Sequence, residues 1–405
     1  MRTIAAVTGS RSDYGVYLPV LRRIREASDL TLYLIVTGAH LSPLHGLTVR
    51  LIEEDGFRVD ERVEMLLSSD TPAGIAKSTG VAVTGFADLF SRFRPDILLV
   101  LGDRFEMYAA VLAALPFMVP VAHIHGGEVT EAAIDDALRH SMTKLSHLHF
   151  VATDTYARRV LQLGEEPWRV VVSGAPSLDN LRAFPLLSRQ EIEGRFGMKI
   201  EGPPLLVTYH PVTLEYERTG WQVGELLAAL EETVQPVIFS PPNADTASQT
   251  VAEMIRSFVA GNPRAQLAAT LGTQAYFSLM QEAAAMVGNS SSGIIEAASF
   301  RLPVVNIGNR QRGRVRPANV IDVGYRREEI VAGIRRALSP EFRSSLRRLR
   351  NPYGDGHAAE RIVEVLRTVP LDERLLTKKF CDSPPPRQAG GRGRGKDAGR
   401  RAWSR

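Results

Sequence analysis

The chain has 405 residues, 44% hydrophobic and 23% charged, the composition of a globular protein long enough for two ordinary domains. No apolar run approaches the ~18 residues that would span a bilayer, and the single cysteine, Cys381, excludes an intrachain disulfide and suits a reducing cytoplasm. The net charge of +4 is concentrated at one end: residues 387–405 hold seven Lys/Arg and one Asp, leaving residues 1–386 at −2.

"RTIAAVTGS" opens the chain as a buried strand, with no apolar leader of signal-peptide length ahead of it. The helix "VYLPVLRRIREAS" follows, then the strand "LTLYLIVTG", the helix "GLTVRLIEEDG", a strand near "RVEML" and a long helix from about Pro72 to Phe93. "DILLVLGD" is the next strand, followed by the helix "FEMYAAVLAAL", the strand "VPVAHIHGG", a helix from about Ala132 to Leu145, and "HLHFVATD". Continuous Val/Ile/Leu runs separated by helices predict parallel sheets covered on both faces.

A charged linker, "PSLDNLRAFPLLSRQEIEGRFG", separates this series from a second one. The second runs through the strands "PPLLVTYHP", "QPVIFSPPN", "AQLAATL", "AAMVGNSSS" and "LPVVNIG", each followed by a helical pattern. The fold class is therefore α/β, with two Rossmann-like domains facing a cleft. The expected limits are 1–180 and 181–350. In open α/β sheets ligands sit outside the carboxyl ends of the strands. Residues 382–405, rich in Gly and Arg after "PPP", cannot bury a core and read as a disordered basic tail.

Three stretches carry chemistry. In "VGNSSSGIIEAAS" a strand meets a helix at Ser290, Ser291 and Ser292, whose hydroxyls and backbone N–H groups suit a phosphate. Plain N-capping by serine is the bland alternative. "GSRSDYG" after the first strand places Arg11 to pair with a phosphate, but it is no G-x-G-x-x-G, so a dinucleotide cofactor is not expected. "HIHGGEVTEAAIDDALRH" offers His123, His125, Glu128 and His140 as possible zinc ligands. The strand that aligns His123 with His125 ends at Gly126–Gly127, and an ion pair with Asp136 accounts for His140. There is no H-E-x-x-H and no cysteine ligand, so neither metal nor cofactor is expected.

These motifs, together with "VTGAHL", "LGDRFE", "VTYHPVT", "GNRQRGR" and "NPYGDGHAAERIV", resemble the hydrolysing UDP-N-acetylglucosamine 2-epimerases from about Arg2 to Leu366. The resemblance implies the glycosyltransferase B-type fold, in which the last helix, here at about 353–368, crosses back to the first domain. It also implies a reaction that releases UDP and N-acetylmannosamine, the precursor of sialic acid, through a 2-acetamidoglucal. The non-hydrolysing 2-epimerases share the fold but typically show "HVEAG" and "HRRE" where this chain has "HIHGG" and "YHPVT". The alternatives are the same reaction on UDP-2,4-diacetamido-2,4,6-trideoxyglucose, on the legionaminic acid route, non-hydrolysing epimerisation, and glycosyl transfer. A non-catalytic sugar-nucleotide or RNA-binding protein is the reading of another class.

By the resemblance, Asp103, Glu128, Asp135 and His210 are the catalytic candidates. Asp103 has N-capping of the next helix as its bland alternative. Arg11, His125, Asn243, Ser290, Ser291, Ser292, Glu296 and Arg312 are the candidate substrate contacts, with Glu296 placed for the ribose hydroxyls. Some relatives carry Glu where this chain has His125. The partner implied is a UDP-sugar, with no membrane and no nucleic acid, and the expected assembly is a homo-oligomer, dimer or tetramer.

Overall fold

The computed structural model describes residues 1–67, 71–130, 134–241, 248–268 and 271–382. Seven strands form the first sheet: β1 (Arg2–Thr8), β2 (Leu30–Thr37), β3 (Glu61–Val63), β4 (Ile97–Leu101), β5 (Val121–Ile124), β6 (Leu148–Val151) and β7 (Val170–Val172). Their order is β3-β2-β1-β4-β5-β6-β7, parallel throughout. The second sheet is built from β8 (Leu205–Thr208), β9 (Val237–Phe239), β10 (Ala265–Leu267), β11 (Ala285–Gly288), β12 (Val304–Ile307) and β13 (Val320–Val323). It too is parallel, in the order β10-β9-β8-β11-β12-β13.

Both faces of each sheet are buried, as the unbroken apolar strands require. β1 sends Ile4 and Ala6 into one core, with Tyr17 and Leu21, and Ala5 and Val7 into another, with Phe86 and Phe90. The helix Ala358–Thr368 returns from the second series to the first sheet, placing Ile362, Val363 and Leu366 among the helix residues Tyr17, Val20 and Ile24. Strand order reverses between β1 and β4 and again between β8 and β11, the switch points at which such sheets leave a crevice.

The structure departs from the sequence reading in three places. The first helix begins at Arg11, not at Val16, because Ser10 and Asp13 form a reciprocal capping box at its start. "GSRSDYG" is thus chiefly helix. Two short strands, β7 and β13, were not expected; each closes an edge of its sheet with three or four residues, too few to show a period. "GIIEAASF" is a five-residue helix, Ser291–Ile295, followed by a 3₁₀ turn, Ala297–Phe300. Among the described residues no helix is long and apolar enough to cross a membrane. Residues 383–405, nearly all of the expected basic tail, lie outside the described residues.

Candidate active site

The polar residues of interest lie just past the carboxyl ends of β4, β5, β8, β11 and β12, where the two sheets meet. Asp103, after β4, does not cap the helix Phe105–Ala114, whose N-cap is Arg104 without a side-chain bond. Its carboxylate instead pairs with Arg139 on the helix Ile134–Leu145. Arg139 is almost wholly buried at 2% exposure. Its Nη1 donates to the Glu128 carbonyl at 3.0 Å and to Asp136 Oδ1 at 3.2 Å, and its Nη2 donates to Thr130 Oγ1 at 2.8 Å as well as to Asp103. One guanidinium therefore ties the β4 loop, the β5 loop and the following helix together.

His125 adopts φ +69°, a left-handed conformation rare for a residue with a side chain. This turn swings it away from His123 and sets its Nδ1 2.6 Å from Glu128 Oε1. His123 stays inside the sheet, with Nε2 2.7 Å from the Gly102 carbonyl, and burial lowers its pKa to about 3. Two histidines one residue apart thus serve different surroundings. His140 lies 3.5 Å from Asp136, the local pairing that the helical spacing predicts. Among the described residues no three His, Cys, Asp or Glu side chains gather as a metal site.

Glu128 is buried, and burial alone pushes its pKa up. His125, Arg314 and Arg159 outweigh that and hold it below the ordinary value, favouring the carboxylate. Arg314 belongs to the loop after β12 and reaches Glu128 Oε2 at 3.6 Å, so the pair joins the two sheets. That loop is held from the first series: Arg159 donates to the Gly313 carbonyl at 3.2 Å, and the Tyr156 hydroxyl accepts from the Val315 N–H at 3.2 Å. Gly127 lies close against the chain itself: at φ +74° a side chain there would run into the Tyr156 carbonyl.

On the second sheet Asn289, directly after β11, is fully buried. Its Oδ1 accepts from the His210 backbone N–H at 2.7 Å, and its Nδ2 donates to the His210 carbonyl at 2.7 Å. This bracket fixes the loop after β8. Burial, with the nearby Arg310, lowers the His210 pKa to about 3, so its ring is neutral. Ser290 caps the helix Ser291–Ile295, accepting from the Ser292 N–H at 3.3 Å. Glu296 is buried, which raises its pKa, and Oε1 accepts from Ser177 Oγ at 2.6 Å, another contact between the two halves.

The remaining candidates are more scattered. Asp135 stands in the first turn of the helix Ile134–Leu145, among the charges that surround Arg104. Arg104 also forms a two-pronged pair with the fully buried Glu106. Arg11 and Arg312 are exposed, and Asn243 lies outside the described residues. Arg139, Arg314, Asn289 and Glu106 were not singled out from the sequence. Each stands inside or beside a quoted motif, and for Arg139 the i,i+3 spacing from Asp136 was a usable signal.

The family profile described as UDP-N-acetylglucosamine 2-epimerase matches residues 22–367. This chain belongs to that family. It is 38% identical, over 93% of its length and 99% of the relative's, to a UDP-N,N'-diacetylbacillosamine 2-epimerase (hydrolyzing) of Legionella pneumophila. A GDP/UDP-N,N'-diacetylbacillosamine 2-epimerase (hydrolyzing) of Campylobacter jejuni is 37% identical over 94% of this chain and 99% of its own. The crystal structure of UDP-GlcNAc 2-epimerase from Neisseria meningitidis bound to UDP-GlcNAc superposes with TM-score 0.78 at 21% identity, covering 90% of this chain and 99% of that one. The two parallel sheets are thus those of the glycosyltransferase B-type fold.

Proposed function

We propose that the protein is a hydrolysing 2-epimerase of a UDP-linked 2-acetamido sugar, and that the sugar is 2,4-diacetamido-2,4,6-trideoxyglucose, the N,N'-diacetylbacillosamine of its relatives' names. UDP-N-acetylglucosamine was the first expectation from the sequence. Relatives at 38% and 37% identity, spanning nearly the whole chain, move the diacetylated sugar ahead of it. UDP-N-acetylglucosamine stays as the second reading because a UDP-N-acetylglucosamine 2-epimerase of Neisseria meningitidis serogroup B is 30% identical over 84% of this chain.

The observation that carries the reaction is that Asp103 and Glu128 follow adjacent strands, with one buried Arg139 pairing with the Asp103 carboxylate and donating to the Glu128 backbone carbonyl. Elimination needs a base for the C2 proton while the C1–O bond breaks and UDP leaves with the electron pair. Water then adds at C1, and a proton returns to C2 on the opposite face. Glu128, kept ionised by His125 and Arg314, is the proposed base. Asp103 and Asp135 are the candidates for the proton return. Neutral His210, Ser290, Ser291, Ser292, Arg11 and Arg312 would hold the diphosphate as N–H and O–H donors or cations. Glu296 would take the ribose, with His125 and Asn243 toward the sugar.

Each UDP-sugar is incubated with the full chain in D₂O and followed by NMR. Release of UDP with the 2-epimer deuterated at C2, from the diacetylated sugar in preference, is the expected result. Inversion at C2 with UDP still attached would overturn the hydrolysing assignment. Turnover of UDP-N-acetylglucosamine alone would reverse the choice of substrate.

A further inference from the structure

The segment after the crossing helix lies beyond the residues the family profile matches, yet it is bound tightly to the first sheet. Leu375 is fully buried in the core that holds Tyr17 and Leu366. Arg169, also fully buried, donates to the carbonyls of Leu375 at 2.8 Å, Arg374 at 2.7 Å and Thr377 at 3.0 Å, and to that of His147 at 3.1 Å. The Phe380 ring fills the space that the missing side chain of Gly164 leaves at φ +83°, and the Cys381 N–H donates to the Gly164 carbonyl at 2.9 Å.

Between these anchors sits Lys378. Its ammonium lies 2.8 Å from the Lys144 carbonyl, 2.6 Å from the Ser146 carbonyl and 3.3 Å from that of Thr143. Glu165 Oε2 is 2.7 Å away, and the same carboxylate holds Lys144 at 2.6 Å and His149 at 2.9 Å. The three carbonyls are at the C-terminal end of the helix Ile134–Leu145, where backbone acceptors have no partner in the helix and a cation is favoured. Further back along this helix stand Arg139 and, in its first turn, Asp135 and Asp136, which face the site. Thr143 ties the C-terminal turn to Arg139, one turn back, its hydroxyl donating to the Arg139 carbonyl at 3.1 Å.

We propose that the strap 370–381, acting through Lys378, is a positioning element of the active site. It holds the helix Ile134–Leu145 in register, so that Arg139 keeps Asp103 and the Glu128 loop where proton transfer needs them. Lys378 touches no reacting atom; it is a positioning residue. The inference rests on the proposed acid–base role of Asp103 and Glu128. A bland structural lysine would lower stability and leave the chemistry of the folded fraction intact. A positioning lysine affects the chemical step in protein that is still folded.

The test compares the full chain with K378M and K378R and with a chain ending at Asp382. In K378M the expected result is a kcat lower by about tenfold or more, with KM and UDP affinity unchanged, because a small misplacement of catalytic groups is costly. K378R, which keeps the cation, restores most of the rate, and removal of residues 383–405 changes nothing. Hydrogen exchange followed by mass spectrometry should show faster exchange across residues 126–145 in K378M, with the second sheet unaffected. This readout needs no turnover, so it tests the strap even where neither UDP-sugar is a substrate of the unmodified chain. Unchanged kcat and unchanged exchange in folded K378M would overturn the proposal. So would a uniform rise in exchange over the whole chain with parallel loss of UDP binding, the mark of general destabilisation.

Discussion

Where the two sheets face each other, the first presents charge and the second presents mostly neutral donors. Asp103 and Asp136 pair with Arg139, and Glu106 grips Arg104, so these carboxylates are each half of an ion pair. Opposite them stand Asn289, the three serines and a His210 that burial keeps neutral. Among the described residues, the loop after β12 carries a cation across, through Arg314. Fixed carboxylates suit proton transfer, which needs groups whose charge can change. Neutral, preorganised donors suit an anion that stays an anion throughout. The asymmetry teaches that rate should depend mainly on the first sheet and nucleotide affinity mainly on the second.

The largest effect is expected at Glu128. E128Q keeps size and hydrogen bonding but removes the proposed base, and kcat should fall by about 10²–10⁴-fold while UDP binding measured by calorimetry is retained. A loss of UDP affinity in step with kcat would break the division between the two sheets. Next is Arg139, whose replacement by Met leaves Asp103 and Asp136 without their buried counter-charge. Removing one partner of a buried pair costs about 3 kcal/mol or more, to be read as a lower urea midpoint, and kcat should drop with it. On the other side, N289A removes both hydrogen bonds that bracket the His210 backbone. A cost of about 1–3 kcal/mol should appear as weaker UDP binding and a raised KM, with kcat nearly intact.

Much of the frame was legible because its signals are periodic and long. Strands such as "DILLVL" and helices such as Pro72–Arg92 carry enough apolar positions to declare themselves. β7 and β13 do not: short edge strands take their conformation from a neighbour already in place. The first helix was started late because "GSRSDYG" reads as a turn by composition, whereas Ser10 and Asp13 use their side chains to begin a helix there. At the site, the carboxylates could be singled out because their residue types and motifs point to chemistry. Their long-range pairings could not. Arg139 meets Asp103 across 36 positions and Arg314 meets Glu128 across the two sheets, and such pairings exist only once the chain is folded. The turn at His125 was hidden for a related reason, since a positive φ at a non-glycine residue has no compositional mark.

Arg314 gives the most discriminating, if smallest, effect, because it is the one described cation of the second sheet shown paired with the proposed base. In the folded protein the Glu128 carboxylate is favoured over the acid, and its pKa lies below the ordinary 4.5. Folding therefore gains stability from this group above the ordinary value, and the gain is lost as pH falls through the lower folded value. A base must be ionised to act, so the acid limb of kcat/KM should lie below the ordinary carboxylate range. Replacing Arg314 with Met removes one of the two main charges that oppose burial, and the limb should move to higher pH. His125 remains 2.6 Å from the carboxylate, so the group stays a competent base and the plateau rate at neutral pH should change little. A fall in kcat at every pH, with the limb in place, would instead make Arg314 a partner of the leaving diphosphate. That outcome would place the cation's work with the second sheet, where its own backbone belongs.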